Sequence, residues 1–311
     1  MTFVSPHARL RKNEKVLLMK YIEKHPIIMI VVGVFGISLS SIFVKYSTAP
    51  SAVTAAYRLL WTILLMSPVT FGRQEIRREL LHVGRKNIFL SCLSGFFLAF
   101  HFALWFESLL HTSVASSTTI VCTEVIWVSI GYALFLKGHM SLRAVLAITI
   151  TLVGSVLIAF SDSSAGSAHL YGDLLSLLAA IAVAAYVLLG RVVRETVSTT
   201  VYTYVVYISC AVTLLIFCMI QGNSLWGYGI SGIIVGLLLA VFSTILGHSI
   251  FSWCLKYFSP SFVSASKLCE PVVAAILAGF LFGESPAAMQ LAGGAMIIGG
   301  VFYYSRLEKE E

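Results

Sequence analysis

Lys267 and Glu270 stand one helical turn apart in Ser264-Ala265-Ser266-Lys267-Leu268-Cys269-Glu270-Pro271, a polar stretch inside an apolar run from about 260 to 282. Burying a lone charge at bilayer depth costs a few kcal/mol or more, so such residues face a bundle interior or a water-filled cavity and find a partner. Two readings stay open: Glu270 holds Lys267 as a structural pair, or the two meet a cargo and trade partners with it. Pro271 removes one amide donor and crowds the carbonyl of Lys267. A helix kink is therefore expected beside the charged pair.

Glu124 is the second acid of this kind, with Trp127 one turn further on. Counting about 1.5 Å per helical residue puts Glu124 and Glu270 both roughly 15 Å into apolar segments, close to the midplane. A carboxylate there can exchange protons, or it can bond neighbouring hydroxyls and tie helices together. Arg58 offers a planar fork of donors suited to a carboxylate or phosphate, or it snorkels to the membrane edge. His101 with Trp105, and His248 with Ser252, form i, i+4 pairs that can relay protons or bond a substrate. Satisfaction by a neighbour is the plainer role for each histidine. Trp127, Tyr186, Tyr204, Tyr207 and Trp253 either line an aromatic cavity or serve as packing and interfacial groups.

These side chains must be carried by membrane-crossing helices. The chain has 311 residues, 58% hydrophobic and only 11% charged, with mean hydropathy +0.92. That composition excludes a soluble globular domain and indicates an integral membrane protein. About 20 apolar residues span the hydrocarbon, and ten such segments are predicted at about 27–45, 51–71, 87–107, 113–136, 141–161, 170–190, 199–220, 230–254, 260–283 and 287–305. The six cysteines all fall in apolar segments without metal-type spacing, so free thiols are expected, with no metal site and no disulfide framework.

The net charge of +7 is explained by where the basic residues fall rather than by nucleic acid. Only Lys45 lies in the expected outer loops, and Arg58 and Lys267 lie within spans. All other Lys and Arg occupy the tails and alternate loops, notably 73–86. Basic residues mark cytoplasmic loops, so both termini are expected in the cytoplasm. The basic stretch 1–26 reads as a tail, not a cleaved leader, because the apolar run after it is too long and no small-residue cleavage site follows.

Shifting the chain by 146 residues places Lys45 on Arg191, Glu124 on Glu270 and Gly154 on Gly300. A shift of 147 places His101 on His248 and Trp105 on Ser252. Five spans thus repeat as five, and because five is odd the second copy enters the membrane the other way up. The expected organisation is a basic tail (1–26), a first five-helix repeat (27–161), a second (170–305) and a short tail (306–311). The fold class is all-α integral membrane, ten transmembrane helices as two inverted five-helix repeats.

With this arrangement the sequence resembles the EamA branch of the drug/metabolite transporter superfamily. The resemblance rests on Glu270-Pro271 with Gly283-Glu284, on Tyr57-Arg58, and on His101-Phe102-Ala103-Leu104-Trp105 running to Thr112-Ser113-Val114-Ala115. It covers about 27–304 and implies a carrier of amino acids, nucleotide-related metabolites, sugars or drugs. The first repeat departs from the pattern: Glu124 is followed by Val125 instead of proline, and Gly138-His139 stands where Gly-Glu is usual. That half is accordingly expected to be stiffer.

No G-x-x-x-x-G-K-[ST] occurs, so no nucleotide or other cofactor is expected and a gradient must drive transport. The resulting expectation is a bacterial inner-membrane secondary carrier, not an enzyme. Its partners would be a small-molecule substrate, protons and the lipid bilayer, with no nucleic acid, in a monomer or homodimer. Mixed charge in the cavity fits a zwitterion such as an amino acid better than a simple cation, and the resemblance implies export. The alternative is an intramembrane or lipid-modifying enzyme, against which stands the lack of H-E-x-x-H, G-x-S-x-G or helically spaced aspartates.

Overall fold

The computed structural model describes residues 23–112, 114–162, 170–270, 272–273, 276 and 288–307. Fourteen α-helical pieces follow in order: α1 (Ile27–Ser38), α2 (Ser40–Lys45), α3 (Ser51–Gly72), α4 (Gln74–His82), α5 (Arg85–His111), α6 (Val114–Cys122), α7 (Glu124–Phe135), α8 (Leu142–Asp162), α9 (Leu170–Arg194), α10 (Thr199–Ile220), α11 (Gly229–Leu238), α12 (Ile250–Cys254), α13 (Pro260–Lys267) and α14 (Ala288–Leu307). A π-helical stretch, Leu239–Ser249, joins α11 to α12. Among the described residues there is no β-strand.

Among the described residues, seven uninterrupted or nearly uninterrupted stretches are long and apolar enough to cross a membrane, from Ile27–Lys45 to Gly229–Cys254. The expected fifth span is the shorter apolar run Leu142–Leu157 within α8. The ninth is described only in part, and α14 occupies the place of the tenth. The protein is a multi-pass, all-helical membrane protein. Pro271 and Glu284 lie outside the described residues, so the expected kink is not seen at the proline itself.

Local chemistry sets several helix starts. Ser198 caps α10 by accepting from the Val201 amide, and Ser259 caps α13 by accepting from the Phe262 amide, with Pro260 in the first turn where its missing donor costs nothing. The 221–229 turn uses glycines at positive φ, Gly222, Gly227 and Gly229, a backbone shape that side-chain-bearing residues avoid.

In lipid, helices associate through close approach and interhelical hydrogen bonds rather than through escape from water. Accordingly α9 packs along α5, α14 along α8, and α10 against both α5 and α3, while α1 packs on the π-helical stretch. Ser94 and the Tyr202 hydroxyl meet at 2.7 Å, Tyr186 and Ser252 at 2.8 Å, and Tyr207 and Ser249 at 2.9 Å.

The α8–α14 crossing is the tightest test of the repeat. A β-carbon on Gly154 would lie 2.6 Å from the Gly293 carbonyl oxygen and 2.9 Å from Ile297; one on Gly300 would lie 3.1 Å from the Ala147 carbonyl and 2.5 Å from Thr151. Adding 146 turns 154, 147 and 151 into 300, 293 and 297. The same contact is made twice with the roles of the two helices exchanged.

Gly154→Leu or Gly300→Leu must force these helices apart, at a cost of about 1–3 kcal/mol. Thermal unfolding in detergent should show a lower midpoint for each, whereas Gly299→Leu, with open space at its β-carbon, should match the wild type.

Candidate functional site

Four interruptions of regular helix converge on one cavity. After α6, the Thr123 amide bonds the Ile120 carbonyl at 3.0 Å and its hydroxyl bonds the same carbonyl at 2.7 Å, after which Glu124 opens α7. After α13, Leu268 and Cys269 turn back three residues onto Ala265 and Ser266, and Glu270 follows. Leu39 separates α1 from α2 just before Ser40. The π-helical stretch is the fourth; its wider turn is supported by the Thr244 hydroxyl donating to the carbonyl five residues back, Leu239, at 3.2 Å. Segments of π-helix occur frequently at functional sites.

This corrects one expectation. The first repeat lacks the proline but is interrupted at the same place relative to its glutamate as the second. The Thr123 hydroxyl donates to the Ile120 carbonyl there and so competes with backbone amides for that acceptor.

The cavity is walled by Arg58, Glu124, Lys267 and Glu270 together with His101, Trp105 and His248. Seven of the eight candidate contact residues thus come together. Trp127 does not: it is half-buried outside the cavity, its indole nitrogen without a partner. Trp253 stacks on Tyr257 with ring centres 4.3 Å apart, and Tyr204 bonds Ser67 at 2.9 Å, so both act in packing.

The pairing of charges is not the one sequence proximity suggests. Lys267 Nζ donates to Glu124 Oε1 at 2.7 Å, bridging the two repeats, and lies 5.4 Å from the centre of the Phe251 ring. The carboxylate of Glu270, one turn from Lys267 on its own chain segment, makes no hydrogen bond or ion pair among the described residues, although it is buried. Only its backbone carbonyl is engaged, by Ser38 at 3.4 Å.

Arg58 is 1% exposed and so does not snorkel. Its Nε donates to Thr244 at 2.6 Å and its guanidinium carbon lies over Phe102, 4.1 Å from the ring centre, while both terminal nitrogens lack a partner among the described residues. That leaves the planar fork free for a ligand. Ser40 and Ser243 hydroxyls, the Trp105 indole nitrogen and His248 Nδ1 are likewise buried without partners.

The repeat-related histidines meet with ring centres 6.3 Å apart, and Trp105 stacks on His101 at 6.1 Å. His101 Nδ1 lies 3.1 Å from the Ala179 carbonyl, which can only accept; the neutral tautomer therefore carries its proton on Nδ1 and leaves Nε2 as an acceptor. Among the described residues no group of three or more His, Cys, Asp or Glu could hold a metal.

Sequence reasoning passed over Ser40, Ser243 and Thr244.

The EamA-like transporter family matches residues 25–160 and again 170–306. The chain belongs to that family. It is 25% identical over 206 residues to an uncharacterized transporter of Clostridium kluyveri and 26% identical over 199 residues to the uncharacterized transporter YdfC of Bacillus subtilis. These matches take in 64% and 63% of this chain, and the chain spans just under two thirds of each of those relatives, 66% and 64%. The uncharacterized transporter YxxF of Bacillus subtilis is 22% identical over 280 residues, 89% of this chain and 87% of its own. A solved crystal structure superposes with TM-score 0.74 at 14% identity, covering 91% of this chain and 97% of the other, which establishes a shared fold.

Breaking the inter-repeat pair from one side should be costly, because it strands a buried charge. Lys267→Ala should lower unfolding free energy by about 3–5 kcal/mol, and pairing Lys267→Met with Glu124→Leu should recover most of the loss. Unfolding midpoints of the two variants in the same detergent decide the matter.

Proposed function

We propose that this protein is a secondary carrier of small zwitterionic metabolites, amino acids foremost, that exports them across a bacterial inner membrane by alternating access. The observation that carries this reading is the division of labour in the cavity. Lys267 and Glu124 satisfy one another, while among the described residues the Arg58 terminal nitrogens and the Glu270 carboxylate, both in the wall of the same cavity, have no side-chain partner.

A cargo carboxylate fits the fork of Arg58, where two parallel charge-assisted hydrogen bonds are available. An ammonium group fits Glu270. Such a cargo is neutral overall, so the four ionisable side chains keep their balance of two bases and two acids when it binds. Ser243 and Trp105 supply further donors, and Ile37, Val121 and Val183 present apolar wall to a side chain.

Two five-helix halves of inverted topology, ten helices in all, would rock about this cavity, with both termini cytoplasmic. The doubled family match and the reciprocal Gly154 and Gly300 contacts support that arrangement. Repeat interfaces near the midplane are where such carriers bind their substrates. The interruptions at Thr123 and at 268–269 supply the compliant backbone, and Lys267 can swing from Glu124 to Glu270 when the cargo leaves. Glu270 can equally take a proton at that moment, making transport an exchange or proton-coupled. One chain encloses the cavity, so a monomer suffices.

Losing a charge-assisted hydrogen bond costs about 1.5–3 kcal/mol, roughly ten- to a hundredfold in binding. Cells producing the wild type should therefore accumulate amino acids outside, and Glu270→Gln and Arg58→Gln at matched membrane levels should lose that accumulation. Equal accumulation with both variants would remove these residues from the cargo site. No flux above empty cells in either direction would sink the carrier reading.

A further inference from the structure

We infer that the basic segment 73–86, centred on α4, is a docking surface for anionic phospholipid headgroups. At nine residues α4 is too short to cross the bilayer, and it joins the ends of α3 and α5, so it lies along the membrane face instead of through it.

Its two sides differ. Ile76 and Leu80, one turn apart, pack against the protein core, whereas Arg73, Arg77, Arg78, Arg85 and Lys86 are all exposed. Among the described residues none of the five lies within 4.0 Å of a carboxylate. Two acids share the segment, and one of them, Glu79, is already engaged by the Ser198 amide at 2.6 Å. The surplus of positive charge is therefore uncompensated by the protein itself.

Apolar side chains fix the depth. Phe71 and Phe89 at the flanking helix ends and Leu81 on α4, 74% exposed, offer bare apolar surface at the level of the basic groups. A helix with cations and exposed apolar groups at one height matches the boundary between headgroups and acyl chains. Clusters of four or more Lys and Arg beside a membrane span attract anionic lipid. A soluble acidic protein would meet the charges but not the bare leucine and phenylalanines, so a phospholipid fits better.

The surface is also tied to the α9–α10 turn. Glu79 holds the Ser198 amide at the start of α10, and Asn87 on α5 donates to Thr196 at 3.1 Å in the same turn. Headgroup binding would hold α4 against the α9–α10 turn.

The test uses full-length protein extracted from an equal mixture of phosphatidylcholine and phosphatidylglycerol vesicles, with retained lipid quantified by mass spectrometry. Wild type should retain phosphatidylglycerol in preference. Each basic group near the surface is worth about fivefold in affinity, the equivalent of about 1 kcal/mol, so Arg77→Gln with Arg78→Gln should cut the preference by more than tenfold. Arg85→Gln with Lys86→Gln, outside α4, should cut it similarly and guards against a folding defect in the helix. Equal retention of both lipids by the wild type, or an unchanged preference in both variants, would overturn the inference.

Discussion

A charge inside a bilayer-spanning bundle has no water to answer it, and the architecture of this protein follows from how its central charges are answered. Lys267 is satisfied from the other repeat by Glu124, through a buried contact between the two interrupted spans. That contact fixes the register of α13 against α7, and with it the position of Glu270. Arg58 is answered only in part, by one hydroxyl and the face of Phe102. Glu270 has no side-chain partner among the described residues. Desolvation makes unmet polar groups expensive, and Arg58 and Glu270 stand in the wall of one cavity.

Irregular backbone at membrane depth carries a similar cost, because carbonyls freed from the helix ladder cannot be hydrated by lipid. Here three carbonyls beside the breaks accept from nearby hydroxyls. Thr123 bonds Ile120, Ser266 bonds Phe262 and Thr244 bonds Leu239, all through hydroxyls on the same helix. These breaks are confined to the walls of the central cavity, while α5, α9 and α10 beside them run without interruption for 22 to 27 residues. The bundle thus pairs rigid struts with compliant segments, and the compliant segments hold the ionisable groups.

The repeat is close to symmetric in outline and asymmetric in chemistry. Glycine contacts at the α8–α14 crossing obey the 146-residue shift in both directions. The lysine beside Glu270 has Val121 as its counterpart beside Glu124, and the π-helical stretch around His248 faces a regular helix around His101. A single base shared by two repeat-related acids is an arrangement that has to choose a side.

Membrane residence, the repeat, the run of apolar segments and the identity of the central charged residues were all legible in the sequence, because hydropathy and rare intramembrane charges are one-dimensional signals. Composition alone also marked 73–86 as the most basic loop. Partner choice was not legible: Lys267 has Glu270 one turn away along the chain, yet the helix ends between them and turns its side chain across the repeat to Glu124. Proline predicted one interruption, whereas Thr123 and the π-helical stretch produced others through hydroxyl competition that propensity does not reveal. Trp127 is one turn from Glu124 and still points away from the cavity, because α7 begins at the glutamate and its packing against α9 and α13 sets the rotation. Residue types decide what a site can do; which of them share a space is decided by helix rotation and packing, which depend on contacts more than a hundred residues apart.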